Sequence, residues 1–536
     1  MSSSDNYIEE TVCQVSELQE NELKTFQLGD GEVLLVKQNG KISALGSKCT
    51  HYGAPLANGA LGEGRIRCPW HGACFNLATG DIEDFPGLDS LPNYQVTIDG
   101  SNVVVRADKG QLVSNKRVKN MVGQCQGERH GIVVIGGGPA AATCVETLRQ
   151  EGYKGQIVMV CKENCLPYDR VLVTKEMNFD IKNAEFRNDD FYQKFGISVI
   201  KGVEALSVDT KNKKVSLSNS TALSYHKLFI ATGSSPRKVD IPGCDLGNVI
   251  VLRDYENAKY TNSQLSKDKE VVILGDSFIA LEAADYCSSR VKKVTVLMKG
   301  QVPFSHVLGP RIGRAVFELF RRNGVNFVTQ CGLRRINGNG GNVQSVELVD
   351  GTSIPADLLI VGIGITLNTT FLKDSGIEIQ QNGSIETDQY LQTNIPEVYA
   401  GGDVAWAPVW CAGNQKASIG HFGLAHYHGK TAALNMIGKQ KELRSVPYFW
   451  TRLFGLSIRY CGFGHFDDII YVGDVEALKF VAFYLKSDEV VSASSCGMDP
   501  IVSKFGELLA QGKKLKREDL VDDPLGWTKP KLVVQL

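Results

Sequence analysis

The chain has 536 residues, of which 43% are hydrophobic and 22% charged, and a net charge of −1. That composition is ordinary for a globular protein with room for three or four domains of about 150 residues each, and the near-neutral charge excludes a nucleic-acid partner held by phosphate neutralisation. No apolar run reaches transmembrane length, the start MSSSDNYIEETVCQ lacks both a signal-peptide core and an Arg-rich transit pattern, and 14 Cys follow no disulfide-framework spacing, which places the chain in a reducing compartment, the cytoplasm, with the mitochondrion as the alternative.

Residues 5–108 read as all-β. GEVLLVKQNGKISAL is a hairpin turning at Asn39-Gly40, and YQVTIDGSNVVVRAD is another turning at Asp99-Gly100. Between them lies KCTHYGAPLANGALGEGRIRCPWHGACFN, with Cys49 and His51 as a C-x-H pair and Cys68 and His71 as a C-x2-H pair sixteen residues further on. Zinc takes two Cys and two His, but its sites usually open with a Cys pair and close with a His pair. Here each knuckle mixes one Cys with one His, so each loop can give one ligand to each of two irons. Gly53, Pro55, Gly59, Gly62, Gly64, Pro69 and Gly72 flank the ligands and let backbone N–H groups approach cluster sulfurs. The segment resembles the Rieske family, which holds one iron of a [2Fe–2S] cluster with two Cys and the other with two His.

Residues 109–130 are polar, basic and aperiodic, a linker. From 131 the pattern becomes strand, Gly turn, helix. GIVVIGGGPAAATCVETLRQEGYKGQIVMVCKE is a βαβ unit with Gly136, Gly138 and Ala141 in a G-x-G-x-x-A turn and Glu163 beyond its second strand, placed to accept from a ribose hydroxyl. A second unit, EVVILGDSFIALEAADYCSSRVKKVTVLMKG, keeps Gly275 but has Ser277 for the second Gly and Ala280 for the third. Two nucleotide folds suggest one for a flavin and one for a nicotinamide; the alternative is a second fold with no ligand. LFIATGSSPR and VYAGGDVA are further strands entering Gly turns, the latter with Asp403, which can bind ribityl hydroxyls or cap a helix.

The set VVIGGGPAAA, LPYDR, ATGSSPR, the second turn and VYAGGDVA resembles the two-dinucleotide-fold flavoprotein reductases, which include oxygenase ferredoxin reductases and apoptosis-inducing factor. With the Rieske segment in front, nearly the whole chain is similar to the apoptosis-inducing-factor-like flavoproteins that carry an N-terminal Rieske domain. The resemblance implies a multidomain fold. An all-β Rieske domain (1–108) and the linker (109–130) precede an α/β reductase with an FAD domain in two segments (131–249 and 368–440), an inserted NAD(P) domain (250–367) and a C-terminal α+β domain (441–536).

It also implies that Gly136, Gly138, Ala141, Glu163, Arg170, Lys175, Val203, Arg253 and Asp403 contact FAD, with Thr174 where the family usually has Ser. His421 would run under the flavin ring and Trp450 lie near it. Gly275, Ser277, Ala280, Glu282 and Gly364 would touch the nicotinamide nucleotide. No C-x4-C or C-x2-C dithiol accompanies the flavin, which argues against a disulfide-reductase mechanism; Cys161 and Cys165 have the wrong spacing. Met298 stands where NADH-using relatives carry an acid, followed by Lys299, so NADH versus NADPH stays open, and Met298 can equally be a core residue. A Rieske oxygenase would need a carboxylate beside a His pair; His421 and His426 have suitable spacing, but Ser418 stands where the acid would.

The implied activity is an FAD-dependent NAD(P)H oxidoreductase, without a side-chain acid, base or nucleophile. It would pass electrons through a low-potential [2Fe–2S] cluster to an unidentified protein or small-molecule acceptor. The alternative is a redox-sensing, apoptosis-related signalling protein with little turnover. Oligomeric state is not legible.

Overall fold

The computed structural model describes residues 6–125 and 131–529. The end of the expected linker, 126–130, lies outside the described residues.

The N-terminal domain is a six-stranded antiparallel sheet in the order Tyr7–Gln14, Asn102–Asp108, Asn93–Asp99, Lys41–Gly46, Gly31–Gln38, Glu22–Leu28. Asn39 (φ 53°) and Gly40 (φ 72°) form the expected hairpin turn, the pair of left-handed residues whose twist matches the strands. The second hairpin turns one residue later than expected: Asp99 pairs with Asn102 and closes the ladder, leaving Gly100-Ser101 as the loop. A four-stranded sheet, Ala60–Gly62, Arg65–Arg67, Cys74–Asn76 and Ile82–Asp84, is inserted between the fourth and fifth strands in sequence. The two loops of interest precede its first strand and join its second and third. The segment after 108 is not wholly extended: Lys109–Ser114 is a helix capped by the Asp108 carboxylate, which accepts from the Gln111 N–H at 2.9 Å.

Two parallel five-stranded sheets follow. The first runs Ile197–Lys201, Gln156–Cys161, Gly131–Ile135, Lys227–Ile230, Val398–Ala400; the second runs Val249–Val251, Leu358–Val361, Glu270–Leu274, Lys293–Leu297, Val325–Val328. Strands such as GIVVI are apolar throughout because helices or loops cover both faces. The second fold is an insertion, since the chain returns to the first sheet at Val398. Helix Phe422–Met436 packs along helix Pro139–Gln150. The C-terminal domain is an antiparallel sheet, Tyr448–Leu453, Leu456–Gly462, Glu489–Cys496, Lys479–Lys486, Asp468–Asp474, whose apolar face is filled by Val502, Phe505 and Leu509 of helix Ile501–Ala510. Among the described residues no helix is long and apolar enough to cross a membrane.

Candidate functional site

The two N-terminal knuckles meet as like pairs. His51 and His71 face each other Nδ1 to Nδ1 at 3.1 Å, and Cys49 and Cys68 are hydrogen-bonded to one another. Among the described residues no three His, Cys, Asp or Glu side chains gather as one metal ion would require. Two separate pairs therefore suit two irons better than one tetrahedral zinc. Burial raises the Cys68 thiol, but hydrogen bonds from Cys49 and from the His71 and Trp70 N–H groups outweigh it and hold it below its ordinary value, while the Cys49 thiol that donates to it is held well above. Burial and then His51 push the His71 imidazole down to about 2, so it is neutral, the form that ligates. Ala73 is fully buried behind this loop, and the Cys74 thiol is engaged by Glu507 at 3.8 Å.

A cleft of about 1460 Å³ runs from these histidines between the two nucleotide folds, larger than a drug-sized pocket and of a size for a dinucleotide. Its walls include His51, His71, Gly136, Gly138, Glu163, Arg170, Lys175, Val203, Arg253, Ser277, Glu282, Asp403, His421 and Trp450. Cys49 and Cys68 are buried outside it, and Ala141, Gly275, Ala280 and Gly364 are not on its walls. Ala141 packs inside the first nucleotide fold, the place of the glycine that lets helix and strand approach.

Gly136 and Gly138 do different work. At Gly136 (φ +140°) a Cβ would lie 2.2 Å from the Ala231 carbonyl oxygen, so the protein itself requires glycine there. At Gly138, the N-cap of helix Pro139–Gln150, a Cβ would meet nothing within 4 Å. The space is an open cradle before a helix N-terminus, which fits a pyrophosphate. Glu163 is held by Arg170 and by the Tyr168 hydroxyl, which donates to it at 2.9 Å. Asp403 accepts from Ser234 Oγ at 2.7 Å and from Arg253 at 3.3 Å. His421 is the N-cap of helix Phe422–Met436; burial lowers its imidazole to about 4, and its Nδ1 is buried without a hydrogen-bond partner. The donor set and the orphaned nitrogen both fit a bound flavin.

Lys175 pairs with Glu282 and lies 4.9 Å over the Trp450 ring. The Thr174 and Thr451 hydroxyls donate to Glu282, each at 2.6 Å. Thr174 thus supplies what a Ser would, and Glu282, expected beside the nicotinamide nucleotide, braces the lysine of the first fold. Trp450 also meets the His71 ring, centroids 3.9 Å apart.

The second turn repeats the first glycine but not the second. A Cβ on Gly275 (φ +129°) would lie 2.3 Å from the Gly362 oxygen. Ser277 caps its helix, with Oγ accepting from the Ala280 N–H at 3.3 Å and donating to Gly362 O at 3.1 Å. Met298 is 1% exposed and belongs to the core, whereas Lys299 is exposed.

Several residues of this site escaped sequence reading. Tyr52 donates to Asp169 at 2.5 Å, Asp169 also lies 3.9 Å from His51 Nε2, and Arg187 bridges Asp89 at 2.8 Å and Glu146 at 2.9 Å. These contacts join the two knuckles' domain to the first nucleotide fold, and side-chain partners so distant in sequence leave no local pattern. The RIRC run did carry a signal: Arg65 and Arg67 share one face of strand Arg65–Arg67, which runs directly into Cys68.

The family comparisons agree with this organisation. The Rieske [2Fe-2S] domain matches residues 9–95, the pyridine nucleotide-disulphide oxidoreductase family 130–429 and the reductase C-terminal family 448–526. Apoptosis-inducing factor 3 of Mus musculus is 41% identical, covering 97% of this chain and 86% of its own. The probable ferredoxin reductase CtmF of Castellaniella defragrans is 28% identical over 73% of this chain and 96% of its own. The crystal structure of the ferredoxin reductase for the CYP199A2 system from Rhodopseudomonas palustris superposes with a TM-score of 0.70 at 26% identity, covering 74% of this chain and 98% of that one. The chain is therefore a ferredoxin-reductase-like, FAD- and NAD(P)H-using member of the pyridine nucleotide-disulphide oxidoreductase family, preceded by a Rieske [2Fe–2S] domain and resembling apoptosis-inducing factor 3 along nearly its whole length.

Proposed function

We propose that this protein passes electrons from NAD(P)H through FAD to a low-potential Rieske cluster, and from there to a protein or small-molecule acceptor, all within one chain. One observation carries the reading: the ring of His71 lies against Trp450, which lines the cleft beside Lys175, so no solvent gap separates the two cofactor seats. When bound, FAD accepts a hydride and releases single electrons, which a [2Fe–2S] cluster takes one at a time.

In this reading Cys49 and Cys68 hold one iron and His51 and His71 the other. Gly136 shapes the turn, Gly138 opens the pyrophosphate seat, and Glu163, Arg253 and Asp403 orient the nucleotide and ribityl parts. Lys175, fixed by Glu282, brings positive charge to the cleft, and His421, neutral in its buried setting, closes it against water. Ser277 and the second turn take the nicotinamide nucleotide. Residues 1–108 are the Rieske domain, 131–249 with 368–440 the FAD domain, 250–367 the NAD(P) domain and 441–536 the C-terminal domain.

A low potential follows from what surrounds the sulfurs. Quinol-oxidising Rieske proteins brace their loops with a disulfide and donate a Ser hydroxyl to a cluster sulfur. Here Ala54, Trp70 and Ala73 stand at those positions, and Cys74, the nearest substitute donor, is engaged by Glu507. Fewer hydrogen bonds to sulfur leave the reduced cluster less stabilised. Absorption and EPR spectra of the purified protein before and after anaerobic NADH or NADPH test the reading. Flavin bleaching followed by a reduced-Rieske signal is expected; a bleached flavin beside an oxidised cluster would refute it. On the family range of roughly −150 to +300 mV, a midpoint in the whole protein above about +100 mV would refute the low potential.

A further inference from the structure

Arg67 is 1% exposed and bonded three ways. Its Nε donates to Glu507 Oε1 at 2.6 Å, its Nη2 to Asp84 Oδ2 at 2.6 Å and its Nη1 to the Gly72 carbonyl at 2.9 Å. Arg65 completes the cluster, donating to Glu507 Oε2 at 2.8 Å. Glu507 belongs to helix Ile501–Ala510 of the C-terminal domain and is itself buried. One turn earlier on the same helix face, Ser503 Oγ donates to the Cys68 carbonyl at 3.0 Å. Arg459, on a strand of that domain, donates to the Trp70 carbonyl at 2.9 Å. The carbonyls of residues 68, 70 and 72 are thus all held: two by the C-terminal domain directly, and the third by an arginine that this domain pins. His71 lies inside that span.

A buried ionic cluster of this kind contributes little net stability, because desolvation offsets the attraction; apolar residues of similar size often replace such clusters without loss. Its effect here is geometric. A planar guanidinium with three fixed acceptors permits one orientation, and that orientation ties the second ligand loop to the sheet carrying Trp450, on strand Tyr448–Leu453. We propose that Glu507, acting through Arg67, is a positioning residue for electron transfer: it sets the contact between the cluster ligand His71 and Trp450, so that the Rieske domain works docked in place. The inference rests on the function proposed above. Flavin and cluster are held in the whole chain by residues outside this network, so the two ideas can fail separately.

The test is the double variant Arg67→Met/Glu507→Leu. It removes both buried partners together, leaves Asp84 and Arg65, each about a fifth exposed, to solvent, and releases the Cys74 thiol from Glu507. In the full-length holoprotein, flavin reduction by NADPH should proceed at the wild-type rate, with iron and FAD contents unchanged. Reduction of the cluster, followed by EPR after rapid freezing, should slow severalfold, because loosening the His71–Trp450 contact lengthens the path between the seats. Hydrogen exchange of the 68–73 amides should rise at the same time, a readout independent of turnover. Should the double variant fail to fold, Ser503→Ala/Glu507→Gln loosens the same loop with less disruption and should slow transfer in the same direction. Wild-type transfer and wild-type exchange in a folded variant would overturn the proposal. So would slowing that merely tracks lost iron. A wild-type protein whose cluster is never reduced would refute instead the function on which it rests.

Discussion

Replacing Gly138 by Val separates ligand binding from folding. The backbone at Gly138 is extended (φ −99°, ψ −174°) and a Cβ there meets no protein atom within 4 Å, so the substitution meets no steric obstacle in the chain. Its cost to the fold is the poorer N-cap, about 1 kcal/mol. Its cost to FAD is larger, because the branched side chain fills the cradle through which the pyrophosphate reaches the helix N–H groups. Hydrogen bonds to a charged group contribute about 1.5–3 kcal/mol each, so losing two weakens FAD by about 3–6 kcal/mol, or about 10²- to 10⁴-fold. Gly136→Ala is the contrast. Its φ of +140° and a Cβ 2.2 Å from the Ala231 oxygen impose strain of about 1–3 kcal/mol before any displacement of backbone, and its damage falls on the fold. The assay is the FAD released per chain on denaturation together with the thermal midpoint of the flavin-free protein. Gly138→Val should be soluble and release no FAD on denaturation while keeping the cluster's own absorbance, with a midpoint close to that of flavin-free wild type; Gly136→Ala should melt early. Stoichiometric FAD in Gly138→Val would refute the assignment of this turn.

Purified protein should contain two irons and two labile sulfides per chain, and stoichiometric zinc without iron after anaerobic purification would contradict the paired-ligand geometry; His71→Cys should keep a cluster but lower its midpoint, since a thiolate replaces a neutral imidazole. Ser277→Gly frees the Ala280 N–H from its own side-chain cap, so the KM for the nicotinamide nucleotide should fall several-fold, corresponding to about 1 kcal/mol; an unchanged or higher KM would count against the second turn as the nucleotide seat. Met298→Glu places a carboxylate at a position 1% exposed, and a lowered thermal midpoint, not a switch to NADH, is expected. His426 and His428 are both lowered by burial, to about 3 and about 4. Unfolded they bind protons below about 6.5; folded they do not until pH 4 or lower. Stability is therefore fully present above pH 6.5 and falls as the pH drops toward 4, by up to about 2.7 kcal/mol per pH unit for the pair. His71 and His421 are lowered by burial as well, so His426→Leu should remove only its own share, about 1.4 kcal/mol per pH unit, as read from thermal midpoints across pH 4–7.

Much of this molecule was legible because its signals are local. The C-x-H and C-x2-H knuckles, the Gly turns and the apolar strands each declare themselves within a few residues, and they located the facing Cys and His pairs, both nucleotide folds and most of the residues lining the cleft. What was hidden depends on contacts between distant segments. Glu507 reads as one of two charges, with Lys504, on an otherwise apolar helix until the fold brings it to Arg67, 440 residues away. Glu282 occupies a nucleotide-contact position by resemblance, yet its carboxylate turns to Lys175 and two threonines because all three converge on it. Ser277 looked like a degraded glycine and is an N-cap, a distinction that only the Ala280 and Gly362 partners reveal. The displaced hairpin turn at Gly100-Ser101 shows the same limit on a small scale, since the ladder pairing of Asp99 with Asn102 fixed the loop, not the Asp-Gly dipeptide.

The central claim is that flavin and cluster seats within one chain exchange electrons across the His71–Trp450 contact. Its most direct test is the rate of cluster reduction after anaerobic mixing with NADH or NADPH, whichever reduces the flavin faster, measured over a wide range of protein concentration for wild type and Trp450→Ala. Expected is a first-order phase independent of protein concentration in wild type and, in Trp450→Ala, cluster reduction slowed relative to that variant's own flavin reduction. A rate that rises in proportion to protein concentration would mean that electrons pass between molecules, and would contradict the account.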